Sequence, residues 1–247
     1  MKGKIAWFDC DGVLTDYVCT NFVEHLFNRG MFDTEHYKPL VKLKDIYDEG
    51  YISYPEAEKR VIEYFASGIK GIRKQEFESE FKKFFNENHI KPYAYSLLDL
   101  FKDYKKIIVS CEPVEILELM KRYFEVDAVF GTILEIEDEK YTGKVRNLAS
   151  DGGKKRCLLR YADGQNLTES FCFGDTENDV CCLEKVGNPV TLNPNDKLRE
   201  VAFERGWPIL TEENNIIEEV KKLISDENAY KESNKGNKGI NRLSNKK

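Results

Sequence analysis

Asp9 and Asp11 stand two residues apart in Trp7-Phe8-Asp9-Cys10-Asp11-Gly12-Val13, where an apolar run meets a glycine turn. Two ionised carboxylates this close repel each other and are costly to bury, so the pair calls for a bound metal or a shared proton. Other polar groups sit in similar places. Ser110 ends the run Lys106-Ile107-Ile108-Val109, and Asp175 ends Phe171-Cys172-Phe173-Gly174 with Asp179 four residues on. Lys154 opens a helical pattern. Four carboxylates, a lysine and a hydroxyl in one crevice suit Mg²⁺, a hard cation that takes oxygen ligands and often bridges to phosphate. The lysine and the serine would then hold phosphate oxygens. Lys144 and Lys155 compete with Lys154 for that place, and the apolar repeat Leu158, Leu159, Ala162 behind Lys154 favours it.

These residues converge only if the runs that carry them are parallel strands, whose carboxyl ends open on one crevice. Ile5 to Phe8, Lys106 to Ser110, Ala128 to Gly131, Phe171 to Gly174, Pro189 to Leu192 and Trp207 to Leu210 read as such strands. Helical patterns lie between them: Pro113 to Tyr123, Lys154 to Ala162, Asn178 to Val186, Asn195 to Arg205 closed by Gly206, and Ile216 to Ile224. The alternation predicts an α/β fold, a doubly wound, Rossmann-like parallel sheet. Residues Thr132 to Val145 alternate apolar and charged side chains around Tyr141-Thr142-Gly143, which predicts a hairpin excursion.

Between the first two strands the pattern turns helical. Tyr54-Pro55-Glu56 reads as a helix start, and Phe77, Phe81, Phe84 and Phe85 mark one apolar face. The expected organisation is a core of residues 1–15 and 93–225, a helical cap over 16–92, and a disordered basic tail over 226–247.

Composition narrows the function. A net charge of −6 argues against a nucleic-acid surface, which needs basic residues. Seven cysteines without metal-ligand spacing predict free thiols in a reducing compartment, and hence a cytoplasmic protein. No apolar run approaches 18 residues and no signal-peptide pattern opens the chain, so membrane insertion is not expected. Nothing in the pattern fixes an oligomeric state.

Taken in order, Phe8-Asp9-Cys10-Asp11-Gly12-Val13-Leu14-Thr15, Val109-Ser110, Lys154 and Gly174-Asp175-Thr176-Glu177-Asn178-Asp179 resemble the four motifs of the haloacid dehalogenase superfamily. The likeness spans residues 4 to 224. Tyr141-Thr142-Gly143, Lys154 to Leu158 and Asn193 to Arg199 are similar to its phosphoserine phosphatase-like branch. The resemblance implies an Mg²⁺-dependent phosphatase acting on a small phosphorylated substrate. Asp9 would be the nucleophile and form an aspartyl-phosphate, and Asp11 the general acid and then base. Ser110 and Lys154 would bind phosphoryl oxygens. Asp9, Asp175 and the Asp11 backbone carbonyl would ligate the metal, with Asp179 supporting the metal shell or orienting Lys154. The same residues would serve a phosphotransferase or mutase, and a fold that had lost turnover would survive as a phosphate-binding scaffold. Asp11 argues against a dehalogenase reaction, since relatives with that activity usually lack it. Three positions bear on substrate. Val13 replaces the family's threonine, and Val18 falls where an acidic residue binds the serine of phosphoserine. Arg60 matches a cap arginine that faces a substrate carboxylate in relatives, against the alternative of a solvated helix face.

Overall fold

The computed structural model describes residues 3–149 and 152–226. Among these, strands β1 (Ile5–Phe8), β2 (Lys105–Pro113), β3 (Ala128–Glu137), β4 (Lys140–Asn147), β5 (Phe171–Gly174), β6 (Asn188–Leu192) and β7 (Ile209–Leu210) form one sheet. Their order is β4-β3-β2-β1-β5-β6-β7. All pairings are parallel except that of β3 with β4. β1 is therefore central, with β2 on one side and β5 on the other. Successive strands step away from it in both directions, which makes its carboxyl end the point where a doubly wound sheet opens a crevice.

The buried sequence of β1 explains its position. Ile5 and Trp7 pack on one face and Ala6 and Phe8 on the other, and all four are essentially inaccessible. A strand apolar on both faces has to lie inside the sheet. Phe8 stacks on Phe173 of β5 with ring centroids 5.0 Å apart, and Phe101 sits edge-on to both rings. Each such ring contributes roughly 1.5–3 kcal/mol by burial.

Helices α1 (Val18–Asn28), α2 (Thr34–Asp48), α3 (Tyr54–Gly68) and α4 (Lys74–Phe84) all lie between β1 and β2. The start of α3 follows its local chemistry: Ser53 caps the amide of Glu56, and Pro55 occupies the first turn, where a missing N–H costs nothing. The phenylalanine stripe of α4 is core. Phe22 of α1 packs against Phe77, Phe81 and Phe84 with centroids 5.0–5.2 Å apart. One apolar cluster runs from these rings to the sheet face carrying Phe8 and Phe173.

The rest of the chain alternates as the pattern predicts, through α5 (Ala94–Asp99), α6 (Val114–Phe124), α7 (Gly153–Ala162), α8 (Val180–Leu183), α9 (Asp196–Arg205) and α10 over residues 216–226. Two expectations need correction. The hairpin turns at Asp138-Glu139, both with positive φ, so Tyr141-Thr142-Gly143 lies within β4 rather than at the bend. The helix expected over 178–186 is a 3₁₀ turn at Glu177–Asp179 followed by the short α8, because the Asp179 carboxylate is drawn back onto the turn before it. The expected tail beyond residue 226 lies outside the described residues. All seven cysteines are free thiols. No helix among the described residues is long and apolar enough to cross a membrane.

Candidate active site

Asp9 follows the last residue of β1, and its amide is held by the carbonyl of Phe173 on β5 at 3.0 Å. Its carboxylate is 2.8 Å from two groups: Oδ1 accepts from the amide of Cys10, and Oδ2 pairs with Lys154 Nζ. Lys154 is on α7 and is 3% exposed. A buried ammonium needs compensating anions, and Asp179 supplies the second one, with Oδ1 also 2.8 Å away. The other oxygen of Asp179 accepts from the amides of Asp175 and Thr176 at 3.1 Å, so one carboxylate both fixes the lysine and shapes the turn after β5.

Carboxylate oxygens of Asp9, Asp175 and Asp179 lie within 4.8 Å of one another. Burial and the charge of Asp179 push the Asp9 carboxyl up to about 7, against the pull of Lys154. Burial and the charges of Asp9 and Asp179 hold Asp175 well above the ordinary carboxylate range. Asp175 Oδ1 is buried without a protein partner. Crowded oxygen donors with one orphaned atom fit a hard divalent cation. The oxygens of Asp179 are engaged by Lys154 and the turn amides and those of Asp9 by Lys154 and the Cys10 amide, so the orphaned oxygen of the group belongs to Asp175. Gly12 allows this approach: its φ is +81°, and a Cβ there would lie 1.9 Å from Asp175 Oδ2.

Asp11 faces elsewhere. Its Oδ1 accepts from Thr15 Oγ1 at 2.7 Å and from the amide of Val18 at 3.0 Å. Its side chain stands outside the acidic group of Asp9, Asp175 and Asp179. Burial raises its carboxyl above the usual range. Ser110 is buried near the carboxyl end of β2, where its Oγ accepts from the amide of Glu112 at 3.2 Å.

A family model described as haloacid dehalogenase-like hydrolase matches residues 6–184. The chain belongs to that family. Over 107 residues it is 34% identical to the "Inhibition of morphological differentiation protein" of Streptomyces azureus, covering 42% of this chain and 39% of the relative. It is 32% identical over 105 residues to a phosphoserine phosphatase of Mycobacterium tuberculosis, covering 41% of this chain and 34% of that protein. The aligned part thus spans well under half of either relative. A solved structure titled as a phospho-aspartyl intermediate analogue of phosphoserine phosphatase superposes with a TM-score of 0.66 at 21% identity, over 91% of this chain and all of the other. At that identity the likeness shows a shared fold.

Two acidic residues that the sequence reading passed over lie close to these groups. Glu112 is 5% exposed, and its Oε1 accepts from the amide of Cys19 at 3.1 Å. Its Oε2 has no donor from the protein, and burial and the nearby charge of Asp11 hold it strongly toward the protonated form. Asp11 and Glu112 thus stand close enough for the charge of one to act on the other. The second is Glu58 of α3, which accepts from the side-chain amide of Asn178 across 120 residues of sequence. Tyr54, one turn earlier on the same helix, lies in the field of Asp9, Asp175 and Lys154. The spacing Tyr54/Glu58 places both on one helix face, and that was the available signal. Arg60 is not brought to this group: its Nε pairs with Glu56 at 2.8 Å, and its side chain is 42% exposed. Val18 is fully buried at the start of α1.

Proposed function

We propose that the chain hydrolyses phosphate monoesters of small metabolites through an aspartyl-phosphate on Asp9. The observation that carries this reading is the separation of two carboxyls on one turn. Asp9 is clamped beside Lys154 at the crevice, while Asp11, two residues on, is buried away from that lysine, held by Thr15 and the Val18 amide, with burial raising its carboxyl. Such a split is what an attacking carboxylate and a general acid require. The relative named phosphoserine phosphatase supports the reaction class.

In the proposed course, an Asp9 oxygen attacks phosphorus as the phosphorus–alcohol bond breaks, and Asp11 gives its proton to the departing oxygen. Asp11 then takes a proton from a water molecule that attacks the same phosphorus, and Asp9 is freed as phosphate leaves. Lys154 and Ser110 hold the non-bridging oxygens, and Asp179 keeps Lys154 in place. A divalent cation held by Asp9, Asp175 and the Asp11 carbonyl, Mg²⁺ by the hardness of these donors, would offset the repulsion between carboxylate and phosphate dianion. Residues 16–92 act as a lid that keeps bulk water from the first displacement. The seven free thiols support a reducing compartment, the cytoplasm.

The test is phosphate release from a generic aryl phosphate with Mg²⁺. Asp9→Asn is expected to lower the rate by roughly 10³-fold or more. Activity that survives that change would remove Asp9 from its role.

A further inference from the structure

We infer that Glu58 selects substrates whose alcohol carries an ammonium group and lacks a carboxylate, that is, amino-alcohol phosphates. This rests on the phosphomonoesterase reading above. In-line displacement puts the ester oxygen on the side of phosphorus away from Asp9, the side that the proposed lid would cover. Within the lid, α3 brings Glu58 down to the crevice, where its carboxylate meets the amide of Asn178 and the thiol of Cys111. The ammonium of Lys154 is close enough to act on it electrostatically.

A phosphate dianion held by Lys154 would lie in the field of this carboxylate. Like charges in a partly desolvated site repel strongly, so Glu58 penalises an ester with a neutral or anionic alcohol. An ammonium on the alcohol reverses the sign, pairing with Glu58 while the phosphate pairs with Lys154. Burial raises the Glu58 carboxyl, and Lys154 with the donors Asn178 and Cys111 acts against that rise, so the acidic group is held beside a cation at the crevice. The lid offers no matching cation for a substrate carboxylate: Arg60 is engaged by Glu56 on the solvated side of α3, and Val18 is apolar. Glu58 stands on a different helix from Val18, so the acidic group reaches the crevice from another direction than the family pattern supplies.

The experiment has a catalytic and a binding arm. In the first, kcat/KM is measured for phosphoethanolamine, phosphoserine and glycerol 3-phosphate with wild type and Glu58→Gln. Wild type should prefer phosphoethanolamine to both others. Glu58→Gln should cut the phosphoethanolamine-to-glycerol-phosphate ratio about 10- to 100-fold, the range of a charge-assisted hydrogen bond. In the second, calorimetry compares 2-aminoethylphosphonate with propylphosphonate, neither of which can be hydrolysed. Tighter binding of the amine that is lost in Glu58→Gln supports the inference even if no ester turns over, and absent turnover would then count against the phosphatase reading alone. A parallel fall for all three esters would overturn it, making Glu58 a latch between lid and core. So would equal binding of the two phosphonates, or binding of neither. Asn178→Ala separates latch from selector: a selector keeps the substrate ratio when its resting partner is removed, whereas a latch loses activity toward all esters as in Glu58→Gln.

Discussion

Replacing Lys154 by methionine, with divalent ions chelated, takes the ammonium from between Asp9 and Asp179 while leaving a chain of similar length in the same space. Both carboxylates are under a tenth exposed and each lies 2.8 Å from Nζ. Breaking a buried pair by removing one partner costs about 3–5 kcal/mol, because the remaining charge is left uncompensated. That charge can be removed by protonation, so the cost must depend on pH. In the wild type, the Asp9 carboxyl already stands at about 7 in the folded chain against an ordinary 3.8. Between those values the folded state holds a proton that the unfolded state has released, so stability falls as pH rises through the interval. The ceiling on that loss is about 4 kcal/mol, at about 1.4 kcal/mol per pH unit. Without Lys154, which lowers the Asp9 value, the window extends to higher pH. Urea unfolding in chelator from pH 5 to 8.5 should show wild type losing stability with rising pH. Lys154→Met should lose more, with the gap between the two widest at pH 8 and narrow at pH 5. A penalty that is constant with pH, or below about 1 kcal/mol at pH 8, would refute the idea that the lysine compensates buried charge.

Binding of Mg²⁺ near pH 6.5 should release about half a proton or more, because the ion favours the ionised forms of Asp9 and Asp175. Calorimetry in buffers of different ionisation enthalpy reads the proton count, and Asp175→Asn should weaken binding at least tenfold. Gly12→Ala should cost activity roughly 100-fold and stability about 2 kcal/mol, measured by turnover and unfolding together, since its Cβ would meet Asp175 Oδ2 at 1.9 Å in a left-handed backbone. An alanine that behaved as wild type would show that the Asp175 carboxylate is free to swing away.

The strand ends and the residues on them were legible in the sequence because each is local: a β-branched or aromatic run stops, and the next polar residue is at the crevice. The four-part spacing of Asp9, Ser110, Lys154 and Asp175 then required only that the strands be parallel. The hairpin turn was misplaced for a related reason. Gly143 is the residue that composition offers for a bend, but the bend falls to Asp138 and Glu139, which accept positive φ, while Gly143 packs against the stem of Lys70. Glu58 and Glu112 were not legible. Each looks like an ordinary helix or strand glutamate, and its meaning comes from partners far along the chain, Asn178 for one and Cys19 with Asp11 for the other.

Lys154 and Glu112 give the two carboxyls of a single tight turn different surroundings, which the proposed division of tasks between them uses. Identity and spacing alone make Asp9 and Asp11 equivalent, and mutual repulsion could raise either one. Lys154 breaks the symmetry on one side by pairing with Asp9, and on the other side the charge of Asp11 helps burial hold the neighbouring Glu112 toward its protonated form. Burial and Asp179 raise the Asp9 carboxyl against the pull of Lys154, whereas at Asp11 burial is opposed by hydrogen bonds from the Val18 amide and Thr15. Neither Lys154 nor Glu112 comes from the turn itself. The lysine arrives on α7 after the hairpin, and the glutamate arrives at the end of β2 two residues past Ser110. The proposed nucleophile and acid on the same turn therefore require that β2 and α7 both be docked against β1, so the chemistry proposed for them is set up only once the central sheet is complete.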